Sequence, residues 1–283
     1  MRFSLTGCVL CCIIRLSNFF EDEMPHISYS ELKNWTQCPH HRKLVNEDKL
    51  NPFTDSIFTT FGTAVHAVCE DLAPPDNKVS DPAALFESYF HEELKKLEEV
   101  DPKKIEEFKQ QGREIVVEVM QGLKDYFGDY EVVEAEEQLF ERIIEFPNKE
   151  YDFKGFIDLI IKTPDGKHHI IDWKTCSWGW NARRKSEKLT TYQLTLYKKF
   201  FAEKHNVDVD QIETHFGLLK RTAKPGKKVE IFRVTSGDKK TKNAVKLLTD
   251  ALYNISNKRH LKNRLSCHKM YGTCPFFKTE HCT

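Results

Sequence analysis

Residues 152–175 read DFKGFIDLIIKTPDGKHHIIDWKT, two runs rich in β-branched and aromatic residues that flank Pro164-Asp165-Gly166. Such runs favour β-strands, and the Pro-Asp-Gly sequence favours a tight turn between them. We therefore expect an antiparallel hairpin in which the numbers of paired residues sum to about 330. In that register Asp158 stands directly opposite Asp172. A two-residue turn would instead shift the register by one residue.

This hairpin would bring two carboxylates together. Directly opposed side chains have Cβ atoms about 4.5–5.5 Å apart, and two carboxylates that close repel each other unless a cation lies between them. Apolar neighbours such as Phe156 and Ile170 would keep water from screening this repulsion. The pattern predicts a Mg²⁺ or Mn²⁺ ion, with Lys174 placed to position a water or a phosphate. The alternative is a surface hairpin whose charges are solvated.

The rest of the chain alternates between helical and strand patterns. Helices are predicted at 30–38, 61–72, 81–127 with an interruption at Asp101-Pro102, 186–204 and 240–257. Further strands are predicted at 131–146, 213–221 and 227–235. This order predicts an α/β core with an N-terminal helical insertion at about residues 76–128.

The composition is that of an ordinary globular protein, with 40% hydrophobic and 30% charged residues in a chain of 283. No apolar run reaches the roughly 18 residues of a transmembrane helix, so we expect no membrane association. The net charge of zero conceals two regions of opposite charge. Residues 81–150 hold 20 acidic and 9 basic side chains, whereas residues 218–269 hold 15 basic and 3 acidic ones. The basic region predicts a polyanionic partner or, alternatively, a solvated lysine-rich surface.

The first 23 residues differ in character from those that follow. They contain a short apolar run typical of a weak signal peptide, but no A-x-A-like cleavage site. At Met24 the sequence changes to one typical of a cytosolic start. We expect residues 1–23 to be an extension outside the native protein, with a signal peptide as the alternative. Residues 24–283 would then form one domain, with a core at about 129–260 and a Cys-rich tail at 261–283.

Four short motifs follow one another along the chain. They are Gly62-Thr63-Ala64-Val65-His66, Gly155-Phe156-Ile157-Asp158, Asp172-Trp173-Lys174 and Gln193-Leu194-Thr195-Leu196-Tyr197. In this order, G-x-x-x-H, G-x-x-D, D-x-K and Q-x-x-x-Y resemble the RecB-like exonuclease branch of the PD-(D/E)XK nuclease superfamily. The resemblance covers about residues 29–282. It implies a restriction-endonuclease-like core, a mixed central sheet flanked by helices, and metal-dependent cleavage of DNA.

The resemblance also implies roles for single residues. The groups that would bind Mg²⁺ or Mn²⁺ are the side chains of His66, Asp158 and Asp172 and the carbonyl of Trp173. Lys174 would be the catalytic lysine, and Gln193 and Tyr197 would orient it or contact DNA. Taken alone, a histidine in an amphipathic helix, such as His66, is more often a core residue than a metal ligand.

Two further acidic residues are weaker candidates. Glu70, four residues after His66, would either contact the metal ligands without binding the ion itself or be solvated. Glu137 stands where relatives often carry an acidic strand residue.

Four of the nine cysteines form a pattern, which we call the thiol clasp: Cys38, Cys267, Cys274 and Cys282. One early and three late cysteines resemble the iron–sulfur site of CRISPR-adaptation and AddB-type nucleases. The resemblance implies a [4Fe–4S] cluster, with a Cys₄ zinc site as the alternative. The gaps between the late cysteines are longer than in relatives, and the substitute ligands are His40, His41, His268 and His281.

Together these features predict a Mg²⁺- or Mn²⁺-dependent deoxyribonuclease, an exonuclease acting on DNA ends or single strands in repair or recombination. Its basic stretch 220–269, with Arg183, Arg184 and Lys185, would follow the DNA backbone. We expect it in the cytoplasm, in the nucleoid, or in the host cytoplasm if it is viral. No G-x-x-x-x-G-K-[ST] motif occurs, so a helicase or recombination motor would be a separate partner.

Two other functions are compatible with the same residues. The first is a non-catalytic nucleic-acid-binding protein with a structural iron–sulfur or zinc site. The second is a zinc-binding module that carries the four motifs by coincidence.

Overall fold

A computed structural model describes residues 25–50, 55–147, 149–269 and 272–283. The predicted extension 1–23 and Met24 lie outside the described residues. The main sheet has six strands: β1 His26–Ser28, β2 Glu131–Arg142, β3 Asp152–Lys162, β4 His168–Cys176, β5 Ile212–Lys220 and β6 Val229–Val234. A separate pair is formed by β7 His268–Lys269 and β8 Gly272–Thr273.

The helices surround this sheet. They are α1 Tyr29–Gln37, α2 Pro39–Arg42, α3 Ile57–Leu72, α4 Pro82–Leu94, α5 Pro102–Val116, α6 Val119–Phe127, α7 Ala182–Lys185, α8 Lys188–His205 and α9 Asp238–Ser256. A π-helix spans Lys43–Glu47, and short 3₁₀ turns span Val209–Gln211 and Arg264–Ser266. None of the helices that the structure describes is both long and apolar enough to span a bilayer.

Strand β3 organises the sheet because it has three strand neighbours. Antiparallel β2 pairs with it along one edge, from Asp152 to Lys162. The other edge is shared: parallel β1 pairs with residues 152–154, and antiparallel β4 pairs with residues 159–162. Residues 155–158 therefore have no strand neighbour on that edge. Beyond β4 the sheet continues with parallel β5 and antiparallel β6.

Each face of the sheet has its own apolar core. On one face, Leu32 of α1, Leu196 of α8 and Leu248 of α9 pack against sheet residues. On the other face, helices α3 to α6 pack through residues such as Phe61 and Ile115. The predicted α/β architecture is thus confirmed, as a mixed sheet between two helical layers.

The helical region at 82–127 begins and breaks at residues typical of helix starts. Asp81 and Asp101 accept backbone hydrogen bonds at the first turns of α4 and α5, and a proline follows each of them. Gly112 of α5 packs on Phe86 of α4, where a Cβ atom would lie 2.0 Å from the ring. The predicted interruption at Asp101-Pro102 is confirmed. A second break, at residues 117–118, was not predicted.

Candidate active site

The predicted hairpin register is confirmed. Leu159 pairs with Ile171, and Lys162 pairs with His168, so the paired numbers sum to 330. The pairing of β3 with β4 stops at Leu159, the residue next to Asp158, and the two strands separate there. Instead of a main-chain pair, the carboxylate of Asp158 accepts a hydrogen bond from the Trp173 N–H at 2.6 Å. The two strands therefore open into a fork whose arms carry Asp158 and Asp172.

Two side chains contact Asp172, which is 1% exposed, and a third contacts one of them. Lys174 Nζ lies 2.5 Å from Asp172 Oδ2. Gln193 Nε2 of α8 donates to Asp172 Oδ1 at 2.7 Å and contacts the Tyr197 hydroxyl at 3.2 Å. The hydrogen bond of Gln193 therefore goes to the carboxylate and not to Lys174; the predicted alternatives were that Gln193 would orient Lys174 or contact DNA. Gly155 leaves room for Tyr197, because a Cβ atom there would lie 2.8 Å from the ring.

His66 reaches the fork from α3, on the face of the sheet that helices α3 to α6 cover. Its Nδ1 atom lies 3.6 Å from Asp158 Oδ2. Burial lowers the pKa of His66 to about 4, against the opposing effect of the Asp172 carboxylate. The imidazole is therefore neutral at physiological pH, which is the form that binds a metal. We call His66, Asp158, Asp172 and Lys174 the carboxylate fork.

The carboxylate fork carries an excess of negative charge. Burial, and then repulsion from Asp172, raise the pKa of Asp158 well above its usual range. Burial alone would lower the pKa of Lys174, but the carboxylates of Asp172 and Asp158 outweigh it and raise that pKa. One ammonium thus faces two carboxylates in a site that water screens poorly. Such a site favours a bound cation.

Sequence reasoning missed Glu136. The β2–β3 register pairs Ala135 with Leu159 and Glu137 with Ile157, which places Glu136 across from Asp158. Its φ of 54° is in the left-handed region, unusual for this residue type. Burial, and then repulsion from Glu70 and Asp172, raise its pKa. Only the register between β2 and β3 identifies this residue.

The candidate Glu137 was wrong, because it lies away from the carboxylate fork. Its carboxylate lies 2.5 Å from Lys204 Nζ and 3.0 Å from His205 Nε2, both at the end of α8. Glu70 is exposed, and partial burial followed by repulsion from Asp71 raises its pKa. Its carboxylate repels that of Glu136 and contributes to the raised pKa of Glu136.

A second cluster of possible metal ligands lies further along β4. His169, Glu213 and His215 have ligand atoms within 4.8 Å of one another, and no other group of three in the described part of the chain converges as closely. We call it the histidine cluster. His169 Nδ1 lies 3.1 Å from His215 Nε2. Lys167 and Arg233 contact the Glu213 carboxylate at 3.1 and 3.2 Å.

The cysteines of the thiol clasp are gathered at one end of the molecule. All four line one cavity, together with His40, His41, Leu44 and Phe276. Burial, and then the neighbouring thiols of Cys274 and Cys282, raise the pKa of Cys267. Cys38 Sγ also accepts from the Asn263 N–H at 3.4 Å, which ties α1 to the tail. Of the substitute histidines, His40 and His41 line this cavity.

The sequence profile of the PD-(D/E)XK nuclease superfamily matches residues 26–282. The chain belongs to this superfamily. Its restriction-endonuclease-like fold, a mixed sheet flanked by helices, is thereby confirmed. Membership of this superfamily supports a nuclease, with DNA as the substrate class and divalent metals as the usual cofactors.

Two solved structures are similar to this nuclease. The crystal structure of a "Putative exonuclease" from Eubacterium rectale has 12% identity, coverage of 92% of this chain and 88% of that chain, and a TM-score of 0.56. The crystal structure of SSO0001 has 16% identity, coverage of 82% and 77%, and a TM-score of 0.40. The similarity to the Eubacterium rectale structure shows a shared fold. No curated protein matches the sequence.

Proposed function

We propose that this protein is a Mg²⁺- or Mn²⁺-dependent exonuclease of the RecB-like branch that hydrolyses DNA from ends or in single strands. The observation that carries the proposal is the carboxylate fork. Asp158 and Asp172 come from separate motifs and meet where β3 and β4 part, with Lys174 Nζ 2.5 Å from Asp172. Acting on DNA ends in the cytoplasm, the enzyme would serve repair or recombination.

The residues of the fork fit a hard divalent cation. Asp158, Asp172, neutral His66 and the Trp173 carbonyl would hold it, and His66 already hydrogen-bonds the Trp173 backbone. A bound divalent ion supplies a Lewis acid and a water of lowered pKa. In this structure Gln193 donates to Asp172 Oδ1, and the Lys174 ammonium lies 2.5 Å from Oδ2. Lys174 thus balances one of the charges that the ion would neutralise.

The remaining chemistry belongs to the protein. The raised pKa of Lys174 keeps its ammonium charged, so that it can stabilise the negative charge that develops on a phosphate under attack. Gln193 fixes the orientation of Asp172 through its hydrogen bond. Tyr197 in turn positions Gln193 from one helical turn away.

Linear and circular single-stranded DNA, incubated with Mn²⁺ and separated by electrophoresis, test this proposal. An exonuclease degrades the linear form and spares the circle. Cleavage of the circle would show an endonuclease. Binding of both forms without cleavage would instead favour the non-catalytic nucleic-acid-binding protein.

We also propose that the thiol clasp holds a [4Fe–4S] cluster. The four thiols share one cavity, but no three of them form a group tight enough for a single ion, in contrast to the histidine cluster. A four-iron cluster binds each thiolate through a different iron and so separates them more widely than one zinc ion would. Bound there, the cluster would tie α1 to the C-terminal tail and stabilise the fold.

Anaerobic purification tests the cluster. We expect a brown protein with about four iron atoms per chain. Cys267→Ser should bleach it and lower its melting temperature, whereas Cys176→Ser, outside the cavity, should leave the colour unchanged. Colourless protein with one zinc per chain would replace the cluster by a zinc site.

A further inference from the structure

One tryptophan stands apart from the other three. Trp178 is 80% exposed, whereas Trp173 and Trp180 are 1% and 9% exposed and Trp35 is half-buried. It lies two residues beyond the end of β4, the strand that carries Asp172 and Lys174. An indole is among the largest apolar surfaces a side chain offers, so its position in solvent beside a catalytic strand calls for a ligand.

The backbone on both sides of Trp178 is held in place. The Ser177 carbonyl accepts hydrogen bonds from the Thr222 N–H at 2.9 Å and from its hydroxyl at 2.8 Å. On the other side, the Trp180 ring packs on Phe216 at a centroid distance of 5.2 Å. The exposed ring is therefore presented by a fixed loop, and binding it costs little conformational entropy.

Positive charges outnumber negative ones around this loop, where the Glu230 carboxylate beside Gly179 is paired with both Lys185 and Lys220. Arg183 and Arg184 of α7 are exposed, and neither makes an ion pair within the described residues. The β5–β6 hairpin, whose Thr222 holds Ser177, carries exposed Lys224 and Lys227, which likewise have no carboxylate partner in the described ranges. A ligand with flat rings and a repeated negative charge complements both features.

The distance to the carboxylate fork suits a polynucleotide. Trp178 follows Lys174 by four residues, which is at most about 13 Å along an extended chain. A DNA strand with a phosphate at Lys174 would thus bring a base to Trp178 a few nucleotides away. In a duplex that base is paired and stacked on its neighbours, whereas in a single strand its face is free.

We propose that Trp178 is a stacking platform for a base of single-stranded DNA, and that it makes the single strand the preferred substrate. This inference rests on the proposed nuclease function of the carboxylate fork. Trp178 is a specificity residue and takes no part in hydrolysis.

Tryptophan fluorescence tests the platform directly, because Trp178 is the exposed one of four. We expect oligo(dT), added in EDTA so that no hydrolysis occurs, to quench the emission of the full chain. Trp178→Ala should weaken oligo(dT) binding, measured by fluorescence anisotropy of a labelled strand, by about tenfold or more. Trp178→Phe should retain most of the affinity, and blunt duplex DNA should bind both variants as it binds the wild type.

Two controls separate this inference from the nuclease proposal. Ile144→Ala removes another exposed apolar side chain, 70% exposed and outside the loop, and should not change oligo(dT) affinity. Blunt duplex DNA keeps its bases paired and stacked, so Trp178→Ala should hydrolyse it as fast as the wild type. If the wild type hydrolyses no DNA, the proposed nuclease activity is refuted. The oligo(dT) binding measurement then still tests whether Trp178 stacks on a base.

The platform would be disproved by oligo(dT) affinity that Trp178→Ala leaves unchanged. An equal loss of single-stranded and duplex affinity would also overturn it, since the loop would then contact DNA without selecting unstacked bases.

Discussion

The carboxylate fork and the histidine cluster each contain histidine and carboxylate side chains. Their members on β4, Asp172 and His169, are only three residues apart, yet the two sites differ in charge. In the fork, Lys174 faces both Asp158 and Asp172, and negative charge is in excess. In the histidine cluster, Lys167 and Arg233 both contact Glu213, and Asp165 lies 3.7 Å from Lys167, so two cations balance two carboxylates. The cluster has converged ligand atoms and the fork has not.

The hydrogen bonds of the histidine cluster explain why convergence is not enough. The Thr163 hydroxyl donates to Asp165, so it accepts from His169 Nε2–H at 2.9 Å. His169 Nδ1 is then the acceptor for His215 Nε2–H, and its lone pair is already used. A divalent ion would have to displace that hydrogen bond at a site whose carboxylates are already paired with Lys167 and Arg233. We infer that unbalanced charge, rather than the proximity of ligand atoms, marks the metal site of this nuclease.

The largest expected difference between the two sites is in activity. Asp158→Ala, Asp172→Ala and Lys174→Ala should each reduce Mn²⁺-dependent DNA hydrolysis by about 10³-fold or more, because each removes charge from the reacting centre. Glu213→Gln, the matched change in the histidine cluster, should leave the rate unchanged. The measurement is the initial rate on end-labelled DNA, with circular dichroism to confirm folding. Full activity of Asp172→Ala would invalidate the fork as the active site.

The second difference is in stabilisation by metal. Mn²⁺ at about 100 times its dissociation constant should stabilise the folded protein by about 2.7 kcal/mol and raise its melting temperature. Asp158→Asn should abolish this shift, and Glu213→Gln should keep it. A shift that survives Asp158→Asn but disappears in Glu213→Gln would assign the ion to the histidine cluster.

The third difference is in the response to pH. Burial lowers the pKa of His215 to about 3, so the unfolded chain binds a proton below pH 6.5 that the folded chain does not bind until about pH 3. Stability should therefore fall as the pH drops through this window, by about 2 to 3 kcal/mol at pH 4.5. At the fork, the lowered pKa of His66 acts in the same direction and the raised pKa of Asp158 opposes it.

Urea denaturation between pH 7 and 4.5 measures this slope. His215→Asn should flatten it, whereas His91→Asn, an exposed residue of α4, should not. An unchanged slope in His215→Asn would mean that another group causes the acid sensitivity.

The smallest difference is in stability without metal near pH 8. Neutralising a carboxylate should stabilise the protein at one site and destabilise it at the other. Asp158→Asn removes a charge that repels Asp172 and should stabilise the protein by about 1 kcal/mol. Glu213→Gln deprives Lys167 and Arg233 of their shared partner and should destabilise it by about 1 kcal/mol. Denaturation in EDTA measures both, and equal signs would contradict the proposed charge balance.

The sequence by itself determined the hairpin and its register. Alternating residues and the turn at 164–166 act within one local segment, so the approach of Asp158 to Asp172 follows from strand geometry. It also predicted the α/β class, because the change from helical to strand periodicity is a local signal. The break in the helical region at Asp101-Pro102 was predicted for the same reason.

Only the tertiary structure decided which other groups join the two sites. Glu136 rather than Glu137 faces the fork because of a left-handed residue within β2 and its pairing with β3. His169 meets His215 only because the α8 crossover brings β5 beside β4. These contacts join residues about 20 to 50 positions apart, and their geometry depends on packing that no local pattern encodes.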